Sequence, residues 1–419
     1  MAKRIAFHHF GCKVNFSESS ALARQFREKG YEIAGHREQA DVYVISTCAV
    51  TREAEKKCIY AIRQAHRLNP QAKIAVIGCF SELSPEELKK IEGVSLVLGH
   101  SDKFALPDLL DAGSGSRVPD PRSFVPSYSL GDRTRSFLKI QDGCDYFCSY
   151  CAIPLARGRS RSDLIAHVAE EARSIVAAGI REIVLTGVNI GDFGRQNGES
   201  FPDLIRVLDG IETLPRIRVS SIEPDLLQDD TISFIAASRR IMPHFHIPLQ
   251  SGSDRILKAM HRKYDTALYA ERIGKIRSLL PHACIAADVI TGFPGETDED
   301  FTAGFRFLEK LDISYMHVFS FSKREGTKAA TMNDPVPGPV IKIRSDLLHK
   351  LSEKKKLDFY SRNIGRTETA LLESDNVQGF MHGFTGNYIR VKTPFDPARA
   401  NQLVPVILKH LEPDLSFLI

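Results

Sequence analysis

The sequence lacks any uninterrupted apolar run long enough to cross a membrane, and it opens without the charged-then-apolar leader of a secreted protein. It also lacks a spread of cysteines. The eight that it has lie mostly in clusters along 419 residues, which argues against a disulfide framework and favours metal or redox chemistry in a reducing compartment. The net charge is only +4, so an anionic partner is permitted but not required. We expect a globular, cytoplasmic protein of two or three domains with no membrane partner.

Three buried-strand patterns alternate with helical periodicity over the first hundred residues, which predicts a parallel sheet. The predicted strands cover 3–10, 41–47 and 73–78, and the predicted helices cover 17–29, 52–67 and 84–91. A cysteine follows each strand, at Cys12, Cys48 and Cys79. Because the carboxyl ends of parallel strands meet at one edge of a sheet, we expect these three cysteines to converge.

A second domain is predicted at 134–364, after a linker at 116–133 that is rich in Gly, Pro and Ser. Its strand-like runs lie near 137–141, 181–186, 216–221, 244–248, 284–291 and 314–320. Its helices are predicted near 163–178, 202–213, 228–238, 267–280, 298–311 and 338–362. Six such units predict a partial (β/α)6 barrel, which makes the chain an α/β protein.

The periodicity becomes strand-like again over residues 365–419. Short segments such as "NYIRVKTPF" predict a small antiparallel β-barrel. Barrels of this kind often hold looped or single-stranded nucleic acid. Residues 366–419 contain five Lys/Arg against six Asp/Glu, however, so a plain packing module stays open as an alternative.

The stretch "GCDYFCSYC" brings Cys144, Cys148 and Cys151 together within eight residues, directly after the first barrel strand. Three thiolates on one loop favour an iron–sulfur cluster or zinc. Zinc motifs usually pair two Cys-x2-Cys arms, so a zinc site with a distant fourth ligand fits less well. A [4Fe-4S] cluster held by three thiolates leaves one iron open to a cofactor or a substrate.

This motif resembles the cluster loop of the radical S-adenosylmethionine (radical SAM) enzymes, in which SAM chelates the open iron and is cleaved to a 5′-deoxyadenosyl radical. The segments "LTGVNIG", "SSIEP", "HIPLQSGS" and "DVITGFPGE" are similar to SAM-binding segments of that family, in the same order. The resemblance implies that SAM is contacted by Tyr150, Thr186, Gly187, Asn189, Glu223, Gln250, Ser251, Gly292, Phe293 and Glu296.

All three parts of the chain, in order, resemble the methylthiotransferase branch of the radical SAM enzymes. The resemblance implies that residues 1–115 form the methylthiotransferase domain and residues 365–419 a TRAM domain. It also implies that Cys12, Cys48 and Cys79 hold a second [4Fe-4S] cluster whose open iron carries sulfur. SAM is then used twice, once to methylate sulfur and once to generate the radical.

The motifs "GCKVN", "STCAVT", "ARGRSRS" and "FSKREGT" look like the group that modifies C2 of N6-threonylcarbamoyladenosine beside the tRNA anticodon. Expected partners are the tRNA anticodon stem-loop, an external electron donor and a sulfur source. Alternatives are isopentenyladenosine in tRNA or a ribosomal-protein aspartate as substrate, and a two-cluster electron-transfer protein. Phosphate contacts are predicted from Arg157, Arg159, Arg161, Lys354 and Lys355.

Overall fold

A computed structural model describes residues 2–110, 120, 123–131 and 133–419 of the chain. Of the linker predicted at 116–133, residues 116–119, 121, 122 and 132 lie outside the described part. Within the described part, no helix combines the length and the apolar character that a membrane crossing needs. The predicted fold class is confirmed: parallel βα units come first, a partial barrel follows, and a curled, mainly antiparallel sheet ends the chain.

The N-terminal unit is a five-stranded parallel sheet in the order β2-β1-β3-β4-β5. Its strands are β1 (Arg4–His9), β2 (Glu32–Ala34), β3 (Val42–Thr47), β4 (Lys73–Gly78) and β5 (Val94–Leu98). Its helices are α1 (Lys13–Glu28), α2 (Arg52–Leu68), α3 (Cys79–Leu83), α4 (Pro85–Lys89) and α5 (Leu106–Leu110). The central strand β3 is buried along its whole length because helices cover both faces of the sheet. The short edge strands β2 and β5 were not predicted.

The central unit is the partial barrel, and each of its six predicted strands forms. Its strands are β6 (Ser127–Tyr128), β7 (Ser136–Lys139), β8 (Gln141–Asp142), β9 (Arg161–Ser162), β10 (Glu182–Thr186), β11 (Arg216–Val219), β12 (His244–His246), β13 (Cys284–Thr291) and β14 (Tyr315–Ser320). Its helices are α6 (Ile153–Arg157), α7 (Ile165–Ala177), α8 (Phe201–Asp209), α9 (Asp229–Ala237), α10 (Asp254–Ala259), α11 (Thr266–Leu279), α12 (Asp298–Lys310) and α13 (Gly338–Ser361). Parallel bridges such as Ser221 to His246 join the β11-β10-β7-β6 sheet to the β12-β13-β14 sheet, so the strands form one arc.

The inner face of this arc is polar. Alternate strand residues such as Ile183, Ile217 and Ile285 pack in the core beneath the helices, so the residues between them face inward. These inward residues include Glu182, Thr186, Arg218, His246, Asp288 and His317. A closed barrel fills its centre with bulky apolar side chains, whereas this one presents charged and hydrogen-bonding groups.

The C-terminal unit is a six-stranded sheet that is antiparallel except where β17 pairs with β20. Its strands are β15 (Thr367–Leu372), β16 (Phe380–Thr385), β17 (Arg390–Pro394), β18 (Leu403–Ile407), β19 (His410–Leu411) and β20 (Phe417–Leu418). It docks beneath the barrel strands. Arg218 donates to the carbonyl oxygens of Gly386 (3.0 Å) and Thr385 (3.3 Å), and Arg216 donates to that of Thr369.

Replacing the buried Arg218 with methionine tests this docking. Arg218 also pairs with Glu182, with 2.8 Å between Nε and Oε1. The variant Arg218→Met weakens the pairing of a buried carboxylate and removes the donor to two carbonyl groups, so we expect the free energy of unfolding to fall by about 3 kcal/mol. Urea denaturation followed by circular dichroism measures the change.

The matched control is Arg206→Met on the surface of α8, where the ion pair with Asp203 is exposed. That change should cost no more than about 0.5 kcal/mol. Equal urea midpoints for the two variants would contradict the docking role of Arg218.

Candidate active site between two cysteine triads

The first triad, Cys12, Cys48 and Cys79, assembles at the carboxyl edge of the N-terminal sheet. In the register of the sheet His9 lies opposite Ser46, and Thr47 lies opposite Gly78, so the strands before the three cysteines end together. The pKa of Cys48 is raised to about 12, mainly by burial and in part by the neighbouring Cys12 and Cys79. The structure therefore brings together three thiols that are separated by almost seventy residues in the sequence.

The second triad, Cys144, Cys148 and Cys151, lies on a loop whose ends are joined by the pairing of β8 with β9. Gly143 at its start has φ +67°, and a Cβ there would lie 1.9 Å from the carbonyl oxygen of Arg159, so a glycine is required. The Cys144 amide donates to the Gly158 carbonyl at 3.1 Å, and the Cys151 amide donates to that of Cys148 at 3.0 Å. These contacts curl the loop so that its three thiols share one region.

Burial works against thiolate formation at Cys48, Cys79 and the whole second triad unless a cation is present. It raises the pKa of Cys144 and of Cys151 to about 12, and the neighbouring Cys148 adds to the effect at Cys151. Binding to a metal centre deprotonates such thiols and offsets the cost of burying them. The donor set of each triad, three soft thiolates, therefore fits an iron–sulfur cluster.

Each triad receives one guanidinium group. Arg262 Nη1 lies 3.1 Å from Cys148 Sγ, and the same side chain pairs with Glu223. Arg157 Nε lies 3.2 Å from Cys79 Sγ. A guanidinium that donates to sulfur stabilises negative charge on the triad and restricts its orientation.

Arg157 is the centre of a buried ionic network between the N-terminal unit and the barrel. It donates to Asn15, to Glu18 and, at 2.9 Å, to Asp142. Lys103 and Lys139 also bond Glu18, at 2.6 and 3.0 Å. Burial alone would raise the pKa of Glu18, but Arg157 and these two lysines hold it well below its usual value. The carboxylate is therefore ionised, and the network joins the two units.

A cavity of about 230 Å³ lies between the triads. Residues 49–51, which directly follow Cys48, form one wall, and residues 150–153, which include Cys151, form the other. Gln250, Asp288 and Ile290 from the barrel also line it. Cys151 of the second triad and the residues that follow Cys48 of the first triad therefore line the same cavity. This is the arrangement needed for two centres to act on one substrate.

Some predicted SAM contacts lie at this cavity or beside the second triad. Tyr150 and Gln250 line the cavity, and Glu223 is joined to Cys148 through Arg262. Asn189 is 2% exposed, yet neither atom of its side-chain amide has a partner among the described residues. A buried amide without a partner is costly, so it fits the binding of a polar ligand.

The loop that carries the other predicted contacts on β10 is held by Gln141. Its Oε1 accepts from the amides of Val188 and Asn189 at 2.9 and 2.8 Å. Gly187 lies against Gln141, since a Cβ there would be 2.9 Å from its carbonyl oxygen. Thr186 ends β10 and is buried beside this loop.

Four further predicted SAM contacts lie outside the lining of the cavity. Ser251 is buried, and its hydroxyl accepts from the Ser253 amide at 3.2 Å. Glu296 accepts from the Gly292 amide at 2.8 Å and from Arg344 at 2.6 Å. Phe293 is completely buried in a small apolar cluster. These contacts give Ser251, Phe293 and Glu296 internal partners.

Three of the five predicted RNA contacts are engaged inside the protein, and all five assignments stay predictions. Arg157 is 2% exposed, and Arg161 is bonded to His100 at 2.6 Å. Lys355 donates to the carbonyl oxygens of Glu309 and Leu311, at 3.1 and 2.7 Å, at the end of α12. Arg159, with 72% of its side chain exposed, and Lys354 remain at the surface.

Sequence reasoning missed Arg262 and Gln141. Neither belongs to a spaced motif, because each reaches the site from a separate strand or loop. Arg324 was also missed, although it lies in the quoted segment "FSKREGT". It pairs with Glu55 of α2 and lines the cavity.

Comparisons with known proteins place these features in a family. Residues 4–99 match the model of uncharacterized protein family UPF0004, and residues 138–308 match that of the radical SAM superfamily. The threonylcarbamoyladenosine tRNA methylthiotransferase MtaB of Bacillus subtilis is 40% identical, covering 92% of this chain and 89% of the relative. The protein of the same name from Thermotoga maritima is 38% identical, covering 93% and 91%.

A relative with a different substrate in its name is also similar. The tRNA-2-methylthio-N(6)-dimethylallyladenosine synthase of Pelotomaculum thermopropionicum is 33% identical, covering 97% of this chain and 96% of the relative. Among solved structures, the radical SAM methyltransferase TsrM of Kitasatospora setae aligns with a TM-score of 0.57 at 15% identity, covering 76% and 73% of the two chains. That likeness supports the fold.

The variant Arg157→Met tests the link between the two units. It leaves the buried Glu18 and Asp142 with fewer donors and removes the donor to Cys79, so we expect a loss of about 3 kcal/mol in stability. We also expect less iron to be retained at the first triad. Urea denaturation and iron analysis after anaerobic reconstitution measure the two effects.

Arg159→Met is the control because it lies two residues away and is exposed. It should leave both quantities unchanged. Wild-type stability and iron content in Arg157→Met would contradict the role of the buried network.

Proposed function

This chain belongs to the radical SAM methylthiotransferases, and we propose that it adds a methylthio group to C2 of N6-threonylcarbamoyladenosine (t6A) at position 37 of tRNA. The product is the 2-methylthio derivative. Five relatives named for this reaction are 35–40% identical over at least 91% of this chain. The observation that carries the proposal is the cavity lined by Cys151 of the second triad and by residues 49–51, which follow Cys48 of the first triad. Sulfur insertion requires a radical source and a sulfur source at one base.

The enzyme uses two [4Fe-4S] clusters and S-adenosylmethionine. Cys12, Cys48 and Cys79 would hold one cluster, and Cys144, Cys148 and Cys151 would hold the other. When bound at the second triad, SAM supplies the radical that removes hydrogen from C2 of the adenine, and it also supplies the methyl group for sulfur. Neither reaction is within reach of a side-chain acid or base.

The residues of the chain orient these groups and shield them. Arg262, paired with Glu223, directs its guanidinium to Cys148, and Gln141 holds the loop of Asn189 at the barrel rim. We assign SAM contacts to Thr186, Gly187, Asn189, Glu223 and Gln250. We also propose that SAM is contacted by Tyr150, Ser251, Gly292, Phe293 and Glu296.

The polar interior of the barrel favours t6A over a dimethylallyl substrate. His246 lies between Ser221 Oγ (2.7 Å) and Asp288 Oδ1 (2.8 Å). His317 lies on β14, beside the strand that carries Asp288. The hydroxyl of Ser220 is buried and has no partner among the described residues. The threonylcarbamoyl group can form a hydrogen bond with a hydroxyl such as that of Ser220, whereas a dimethylallyl group would leave it unpaired at a free-energy cost.

The partners and boundaries follow from this role. The anticodon stem-loop delivers the base, and we propose an external electron donor, a sulfur source and a cytoplasmic location.

We assign residues 1–115 to the methylthiotransferase domain, 134–364 to the radical SAM core and 365–419 to a TRAM domain. Residues 116–133 connect the first two.

The direct test is methylthiolation of anticodon stem-loop RNA by the anaerobically reconstituted enzyme. We expect mass spectrometry of digested nucleosides to show the 2-methylthio derivative from RNA carrying t6A. RNA of the same sequence with isopentenyladenosine should react at least about tenfold more slowly. A preference for the isopentenyl RNA, or no reaction with t6A, would overturn the proposed substrate.

Replacing each triad separately tests the division of labour. The wild-type enzyme should contain about eight irons, and each triple cysteine-to-alanine variant about four. The variant lacking Cys12, Cys48 and Cys79 should still cleave SAM to 5′-deoxyadenosine without forming product. The variant lacking Cys144, Cys148 and Cys151 should not cleave SAM. Chromatography measures both compounds, and loss of SAM cleavage in the first variant would contradict this division.

A further inference from the structure

A groove of about 480 Å³ lies on the N-terminal unit, along the outer side of α2. Its lining includes His8, Phe10, His36 and Tyr60, with basic residues beside them. We call it the α2 groove. None of the sequence motifs or predicted site residues falls in it.

The α2 groove adjoins the catalytic cavity. Residues 49–51 line the cavity, and α2 begins at the next residue, Arg52. Lys56 and Tyr60, on the first turns of that helix, line the groove. Phe10 stands two residues before Cys12 of the first triad. A chain leaving the cavity mouth therefore reaches the groove across a single helix.

Three aromatic rings in the groove lie close together at tilted angles. The ring of His8 lies 4.3 Å from that of Phe10 and 4.4 Å from that of His36, measured between centroids. Burial lowers the pKa of His8 to about 4, so its ring is neutral at neutral pH. Tyr60 is 63% exposed. Exposed aromatic rings of this kind accept unpaired nucleic-acid bases.

Unpaired cations surround these rings. Arg37, Lys56 and Lys57 are exposed, and within the described part of the chain none of them forms an ion pair or a hydrogen bond. Glu53 is the one acidic residue that lines the groove. Arg157, Arg161 and Lys355, by contrast, have internal partners. The groove therefore offers free positive charge on the helix that begins directly after the cavity-lining residues 49–51.

We propose that the α2 groove binds the unpaired nucleotides that flank the modified adenosine in the anticodon loop. His36 and Tyr60 stack on a base, and Arg37, Lys56 and Lys57 contact phosphates. This assignment rests on the proposed function, since it takes the RNA of that reaction as the occupant. The aromatic rings favour RNA over an acidic protein, because carboxylate recognition would need only the cations.

RNA binding by the full reconstituted chain tests the assignment. Fluorescence anisotropy of a labelled anticodon stem-loop is measured over a series of KCl concentrations. For Arg37→Gln/Lys56→Gln/Lys57→Gln we expect affinity for RNA to fall at least about tenfold. The slope of log K against log [KCl], which is negative, should become less steep by about 2. For His36→Ala/Tyr60→Ala we expect a loss of roughly tenfold with the slope unchanged.

A triple variant with the same change of charge is the control. Arg67→Gln/Lys89→Gln/Lys90→Gln alters exposed residues at the other end of α2 and at the end of α4, and it should bind RNA as the wild type does. Iron content and SAM cleavage without RNA should be unchanged in all these variants, which shows that they fold.

Two results would overturn the assignment. One is wild-type affinity and salt dependence in the Arg37, Lys56 and Lys57 variant. The other is unchanged RNA affinity together with slower reduction of that variant by an acidic flavoprotein. That result would show that the groove binds the electron donor. Failure of the wild-type enzyme to methylthiolate t6A would instead contradict the proposed function. The two failures can be told apart because RNA binding is measured separately.

Discussion

The buried guanidinium of Arg157 is the contact on which the arrangement of the two triads depends. It stands six residues after Cys151 on the same loop, yet it reaches Cys79 in the other unit at 3.2 Å. The carboxylates of Glu18 and Asp142 hold it from both sides. Separating the units would leave several buried charges without partners, at a cost of several kcal/mol. The spacing of the triads, and with it the size of the cavity, is therefore set by an ionic contact.

Buried ionic contacts also join the barrel to the C-terminal sheet. Glu182, at the start of β10, pairs with Arg218, and Arg218 in turn donates to carbonyl groups of the C-terminal sheet. The polar inner face of the barrel therefore has two roles. At its base it fixes the C-terminal unit, and nearer the rim Asp288 lines the cavity. A packed apolar interior would provide stability but no room for a modified base.

Local pattern predicted the fold and both triads because each rests on short-range signals. Alternating apolar residues marked β1, β3 and β4, and the three-cysteine loop is contiguous. The roles of Arg157 and Lys355 were not predictable in this way. Arg157 is buried because Glu18, 139 residues earlier, faces it, and Lys355 is buried because α12 ends beside it. The edge strands β2 and β5 were not predicted.

Net charge is a weak guide to RNA binding in such a protein. The excess of +4 counts every Lys and Arg equally, although many of them neutralise internal carboxylates or cap helices. What attracts a phosphate is a cation without a partner at an accessible position. Arg37, Lys56 and Lys57 meet that condition beside the cavity, and Arg157 and Arg161 do not, although the latter lie nearer the cluster loop in sequence. Proximity along the chain and availability in the fold are separate properties, and availability determines where an anticodon loop can be held.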